Sequence, residues 1–389
     1  MTNQEWLQQN NAKIEEIKQL LEDKVIVAGA GSYDKNFRIF NINEFEFDGN
    51  ACTNFKGNKY LGDFIDCCII PYSYAIKDGE IVDGFDYKVT EIKNGSQNAN
   101  GSFLKSKFTG YSRIMLPPNI TFISGGCFNE SNIERIIIEA DKIKIDGNRT
   151  FRDCSLLKEL DTSKFDTSES TSFRVMFQNC NKLRTLDVSG FDTSNATDMS
   201  FMFNSCFLED IDVSNFNTSK VTAMRCMFQQ LNITTLDLSN FDTSSVTDMS
   251  EMFAICKRLT TLNIGSFDMR KGVDTTNMFR DCSVLTNLTI KNIRNSIAFD
   301  YSPLSTDSTI NIFKELWDLT GETTLTLKLS TTSKNNIANI YVKLIPVTDE
   351  MRAEDQYIDN KKPCVVCEST DEGAMTLTEY GISKNWTIA

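Results

Sequence analysis

A β-rich solenoid is the fold this chain predicts, and two ladders of phenylalanine predict it. Phe165, Phe191, Phe216, Phe241 and Phe267 are 26, 25, 25 and 26 residues apart. Phe151, Phe177, Phe203, Phe228, Phe253 and Phe279 step by 26, 26, 25, 25 and 26. Two independent sets with one period mean that a single structural unit is stacked on itself. The third observation is an apolar anchor that recurs in the same register: Leu157/Leu160, Leu183/Leu186/Val188, Leu208/Ile211/Val213, Ile233/Leu236/Leu238, Leu259/Leu262/Ile264 and Leu285/Leu288/Ile290, with a looser copy at Ile133/Ile136/Ile138.

A period of about 25 residues with an L-x-x-L-x-L anchor is that of a leucine-rich-repeat array, in which every turn lends one short strand to a parallel sheet. Alternation along the strand points Leu186 and Val188 inward and Thr185, Asp187 and Ser189 outward. Phe191 follows the strand where other such repeats carry Asn or Cys. The phrase Leu236 to Ser250, LDLSNFDTSSVTDMS, continued by Glu251-Met252-Phe253 and Cys256, resembles the repeat of the BspA-like leucine-rich-repeat proteins. The resemblance covers roughly residues 116 to 288. It implies a non-enzymatic surface or adhesion role.

The flanks divide the chain further. Residues 1–27 open with the capping box Thr2-x-x-Glu5 and place Leu7, Ile14, Ile17 and Leu21 on one stripe of an amphipathic helix. The stripe is either an oligomerisation or anchoring seam, with Asn10 setting register, or a surface that lies back on the body. Residues 33–115 read as a β-rich N-terminal cap, with period-two pairs at Phe37/Ile39, Phe40/Ile42 and Phe45/Phe47 and hairpin signals at Asp78-Gly79, Asp83-Gly84 and Asn94-Gly95. The array proper spans 116–293. Residues 300–389 predict an α+β C-terminal cap: a helix over Asp307 to Leu319, a strand over Thr324 to Leu329, a second helix over Lys334 to Val342, and a closing strand at Met375 to Thr378 with Trp386 as a plug. This tail is similar to segments beside such repeats in phage-encoded proteins.

A net charge of -13 with no histidine argues against nucleic-acid binding and removes the commonest general base and metal ligand. No phosphate loop or nucleophile elbow is present, so no catalytic, cofactor or metal residues are assigned; a paired-carboxylate glycosidase is the one enzyme the composition leaves open. No run of 18 apolar residues predicts a membrane span, and the N-terminus, MTNQEWLQQNNAKIEE, lacks the form of a secretion signal. Of the twelve cysteines, Cys154, Cys180, Cys206, Cys256 and Cys282 share one repeat position with Leu231, which marks an apolar slot for reduced thiols. Cys67-Cys68 falls in an apolar run, and Cys364-x-x-Cys367 lies in a strand-like Val-Val context without a second pair at metal spacing.

Asp161, Asp187, Asp212 and Asp237 recur at one outward position and should repel across neighbouring strands unless screened. The expected binding face is Thr185, Asp187 and Ser189, with Asp210, Asp212 and Ser214 and then Thr235, Asp237 and Ser239. Its acidity suits a basic protein or a hydroxyl-rich glycan. These features favour a phage virion protein, a fibre or decoration that joins copies of itself and other virion proteins and faces the host; the alternative is a bacterial surface adhesin.

Overall fold

The structure is a computed structural model. It describes residues 37–38, 45–48, 51–55, 67–69, 73–77, 80–88 and 91–92, and then 113–389 except 117, 270–271, 292, 317–324, 339, 347–363 and 369–373. The predicted N-terminal helix and its stripe of Leu7, Ile14, Ile17 and Leu21 lie outside the described residues.

Three walls wind around one apolar core. The first wall is a parallel sheet of Phe37–Arg38, Cys67–Ile69, Arg113–Leu116, Arg135–Ile138 and Glu159–Leu160, neighbours in that order. It resumes as Thr235–Asp237, Thr261–Ile264 and Asn287–Ile290, with Leu236, Leu262 and Leu288 in register. Between these, the anchors around Leu186 and Ile211 keep their buried faces without forming a regular strand. One local cause is Asp210, whose carboxylate accepts the Ile211 N–H at 2.9 Å and so competes with the ladder. The second wall runs from Ala51–Phe55 through Glu91–Ile92, Phe122–Ile123 and Ile143–Ile145 to Phe165–Asp166, again parallel.

Parallel stacking therefore begins at Phe37, inside the segment read as a cap, and the boundary at 116 falls within a strand of the first wall. Among the described residues of that segment, antiparallel pairing occurs in two hairpins. One joins Phe45–Asp48 to Ala51–Phe55. The other pairs Ser73–Lys77 with Glu80–Lys88, Lys77 opposite Glu80; Asp78-Gly79 lies outside the described residues. Asp83-Gly84 is not a hairpin tip; it sits within the second strand of that hairpin, where the register shifts. Asn94-Gly95 lies outside the described residues.

The third wall is built from the phrase D-x-S-x-M-F-x-x-C. Phe173, Val175, Phe177 and Asn179 donate their N–H groups to the carbonyls of Asp198, Ser200, Met202 and Asn204 one turn on, at 2.9 to 3.0 Å. The intervening amides turn back within the rung, Met176 to Phe173, Gln178 to Val175 and Cys180 to Phe177. This alternation needs two left-handed residues per rung. They are Arg149 and Asp153, Val175 and Asn179, Phe201 and Ser205, Cys226 and Gln230, Glu251 and Ile255, Asn277 and Asp281, all with φ between 52° and 65°. Such φ values are costly for side chains as bulky as Val175 and Ile255. They persist because each aims an amide at the next rung.

Inside, Phe128, Phe151, Phe177, Phe203, Phe228, Phe253 and Phe279 stack with ring centroids 5.5 to 6.0 Å apart. The other ladder packs more loosely, with Phe216, Phe241 and Phe267 6.5 and 6.4 Å apart. Beside the rings runs the thiol column. Cys154, Cys180, Cys206, Cys256 and Cys282 are free and buried, as is Leu231 in the same slot. Each thiol donates to a phenylalanine carbonyl of the preceding turn, from Cys154 to Phe128 at 3.0 Å through Cys206 to Phe177 at 2.7 Å. Cys127 extends the column by one turn, with Ile92 as acceptor. Burial pushes the Cys127, Cys154 and Cys256 thiols up to about 12 and raises Cys180 as well. Thiolate is the reactive form, so alkylation of the native protein should leave Cys180, Cys206 and Cys256 unlabelled, and rapid labelling without denaturant would contradict this packing.

The stack does not end at Leu288. Ile297–Phe299, Leu325–Leu329 and Trp386–Ile388 continue a parallel wall, with Trp386 buried opposite Leu325. The first wall is replaced by helices. Thr306–Glu315 packs on Asn287–Ile290, its Ser308 hydroxyl accepting the Leu288 N–H at 2.9 Å, and Thr331–Ile337 packs on that helix. The second predicted helix is shifted: Ser330 caps it at 331, and the chain is already a strand at Tyr341–Pro346. That strand pairs antiparallel with Cys364–Glu368, which places Cys364 and Cys367 on a strand. The predicted closing strand shrinks to Met375–Thr376, because Thr376 and Glu379 form a capping box that starts a helix at Leu377.

The left-handed rungs stop after Asp281, while their wall goes on as Ile297–Phe299: Ser296 accepts the Thr275 hydroxyl at 2.9 Å and Phe299 sits on Phe279. Asp248-Met249-Ser250-Glu251 and Asp274-Thr275-Thr276-Asn277 are followed, 26 residues on, by Asp300-Tyr301-Ser302-Pro303. In that phrase Pro303 takes the sequence place of the left-handed Glu251 and Asn277, and its ring holds φ near -65°. The rung cannot form, and the chain passes directly into the helix at Thr306.

Candidate recognition faces

The strand face is made by an Asx turn that every copy repeats. Asp187, Asp212 and Asp237 each accept the N–H of the serine two residues on, Ser189, Ser214 and Ser239, at 2.8 to 2.9 Å. Asp161 does the same with Ser163. The motif recurs twice more per turn, as in Asp192 with Ser194 and Asp198 with Ser200. The aspartate ladder therefore has a local cause, turn closure at the end of each strand. It also has an electrostatic one. Hydrogen bonds from the serine hydroxyl and N–H hold the Asp161, Asp187 and Asp212 carboxyls below their usual range. They outweigh the repulsion that Asp187 exerts on Asp212.

All nine residues of the expected face are exposed: Thr185, Asp187, Ser189, Asp210, Asp212, Ser214, Thr235, Asp237 and Ser239. Their inward neighbours Leu186, Val188, Ile211, Val213, Leu236 and Leu238 are buried. A shallow groove of about 690 Å³ crosses four turns of this face, from Arg135 to Asp212. Arg135 and Glu159 line it and pair at 3.4 Å; the residues that follow are acidic, Asp161, Asp187, Asp210 and Asp212. The far end of the face is neutral, with Thr261, Asn263, Asn287 and Thr289 at the outward positions.

Sequence reasoning missed the polar groups that set the spacing of the turns. Thr193 and Thr218, 1% exposed, each donate to a carbonyl of the next turn, Asn217 and Asp242, at 3.0 and 2.9 Å. The Thr193 hydroxyl also accepts the Asn217 N–H at 2.8 Å. Asn215 and Asn240 each reach three carbonyls of the preceding turn. The signal was the recurrence of Thr at Thr167, Thr193, Thr218 and Thr243, with the apolar Met269 in the next copy, which an outward side chain would not need.

Among the described residues no group of three or more Cys, Asp or Glu is placed to hold a metal ion. No described helix is long and apolar enough to cross a membrane.

A family model described as a Mycoplasma protein of unknown function, DUF285, matches residues 145–237 and 208–302, less than half of the chain. A search of the curated proteins gave no match. Among solved structures, the crystal structure of a leucine-rich repeat protein from Bacteroides ovatus is 15% identical, with a TM-score of 0.34 over 78% of this chain and 69% of that one. The account of the fold given above rests on the chain's own repeats and walls.

Proposed function

We propose that this is a non-enzymatic recognition protein whose strand face binds a basic protein surface. The observation that carries this reading is the exposed row of Asp161, Asp187, Asp210, Asp212 and Asp237 on successive turns, with Thr185, Thr235 and the serines Ser163, Ser189, Ser214 and Ser239 beside it and the Arg135–Glu159 pair at one end. Solenoids offer extended surfaces of this kind to partners. The depressed carboxyls of Asp161, Asp187 and Asp212 stay charged well below neutral pH. The setting we propose is a phage virion, where the N-terminal segment joins copies through Leu7, Ile14, Ile17 and Leu21; a bacterial surface adhesin would use the same face. Mass spectrometry of purified phage particles and of washed cell envelopes tells the two settings apart.

The test of the face is the triple variant Asp187→Asn, Asp212→Asn and Asp237→Asn. Asparagine closes the same turn in this chain: Asn217 accepts from Ser219 and Asn263 from Gly265, both at 3.1 Å. The fold should therefore survive while three charges are lost. Adsorption to host cells should fall severalfold, and more so at low salt, where charge attraction is least screened. Unchanged adsorption with an intact fold would move recognition away from this face; loss that is insensitive to salt would point to a glycan held by hydroxyls.

A further inference from the structure

The outer face of the third wall carries a row of side-chain hydrogen bonds that keeps one direction throughout. Arg152 Nε donates to Gln178 Oε1 at 3.2 Å, Gln178 Nε2 to Asn204 Oδ1 at 2.9 Å, Asn204 Nδ2 to Gln229 Oε1 at 2.8 Å, and Gln229 Nε2 to Glu251 Oε2 at 2.9 Å. Arg152, Gln178, Asn204 and Gln229 each follow a phenylalanine of the inner stack, Phe151, Phe177, Phe203 and Phe228, so they hold one place on successive turns. On the next turn that place is taken by Ala254, which has no polar group. Glu251 of the same turn supplies the acceptor instead, and Arg225 and Arg280 close the row on its carboxylate at 3.2 and 3.3 Å.

An amide side chain donates through one atom and accepts through the other, so Gln178, Asn204 and Gln229 can pass hydrogen bonds in either direction if all three turn together. The ends have no such freedom. A guanidinium only donates and a carboxylate only accepts. Arg152 therefore requires the oxygen of Gln178, Glu251 requires the amino group of Gln229, and one orientation of the row meets both demands. The reverse orientation sets two donors against each other at Arg152 and two acceptors at Glu251. Asn204, in the middle, is 6% exposed, so a bond dropped there is a buried loss rather than one that water takes over.

We propose that the three amides are a two-state element whose direction Arg152 and Glu251 set jointly, which couples these residues across four turns, about 19 Å at about 4.8 Å per turn. Direct attraction between the two charges is slight at that separation, about twice the screening length in physiological salt. A change at either end, such as capture of the Arg152 guanidinium by an anion, is thereby felt at the other.

The test is a double-mutant cycle on the full chain, read by urea unfolding. Arg152→Glu puts an acceptor at the same distance along the side chain as Nε, which leaves the row with an acceptor at both ends. Glu251→Gln restores an end that can donate. The unfolding equilibrium constant of the pair should be at least threefold more favourable than the product of the single effects, where uncoupled sites multiply within about twofold. Cutting the row with Asn204→Ala should bring the cycle within that twofold; a direct charge effect would survive the cut. Should Arg152→Glu fail to fold, Arg152→Gln takes its place, because glutamine can donate or accept. The side-chain amide resonances of Gln178, Asn204 and Gln229 should then broaden or double together when Arg152→Gln and Glu251→Gln are combined, and stay single in each variant alone. Single effects that multiply, coupling that persists with Asn204→Ala, or resonances that stay single in the neutral pair would overturn the proposal.

Discussion

Phe203→Ala should cost about 3 to 5 kcal/mol of unfolding free energy, the range for emptying a buried aromatic site. The side chain is fully buried, stacked between Phe177 at 6.0 Å and Phe228 at 5.8 Å. Its removal leaves a cavity and takes away two ring contacts, each worth about 0.5 to 1.5 kcal/mol beyond area burial. The walls on either side are tied by inter-turn hydrogen bonds, so the backbone cannot collapse into the gap. Phe203→Leu retains most of the volume and should lose less, about half as much by the same reasoning. Urea unfolding followed by circular dichroism measures both. A loss that is equal for Ala and Leu would mean that the ring contacts, and not the filled volume, carry the stability. Because each turn contacts only its neighbours, the alanine variant should also lose cooperativity, unfolding in two steps about the weakened turn.

How much of this was legible in the sequence depends on what each residue reports. Phe203 and Leu186 recur because the core demands them, and their period gave the solenoid and its inward face directly. Cys206 and Leu231 sharing one slot identified buried thiols for the same reason. The third wall was not legible in that way. Its backbone is neither helix nor strand, and no periodicity in hydrophobicity marks a left-handed residue such as Val175 or Ile255. The ends were hidden by a change of means: at Thr306 the first wall passes from strands to helices while Leu325–Leu329 stays in parallel register with Ile297–Phe299 on the third wall. The anchor pattern disappears there although the stacking does not. At the other end, the hairpin Ser73–Lys88 is inserted within one turn and lengthens it, so that the repeat spacing between Cys67–Ile69 and Arg113–Leu116 no longer resembles 25 residues. Asp187 was read as a side chain facing a partner, and it does face outward. Its regularity, however, comes first from the turn it closes on Ser189, and regularity of that kind follows from folding whether or not a partner binds.

Proline at a left-handed position should break an internal rung as Pro303 ends the last one. Ser205 is the cleanest site for the experiment. Its φ is 57°, its N–H donates to the Gln229 carbonyl at 2.9 Å, and its hydroxyl makes only a peripheral contact with Gln230 at 3.2 Å. Ser205→Pro removes the inter-turn donor and excludes the backbone angle, and it also disfavours the compact conformation of Asn204 before it. A cost of about 3 kcal/mol or more is expected, since both the hydrogen bond and the conformation are lost. Ser205→Gly is the control. Glycine keeps the amide and adopts φ > 0 freely, while its greater freedom in the unfolded chain opposes that gain, so stability should remain within about 1 kcal/mol of the parent. Limited proteolysis should then cut the proline variant near residues 203–206 and spare the glycine variant. If the proline variant unfolds at the parent's urea midpoint, the left-handed column is not what holds the third wall.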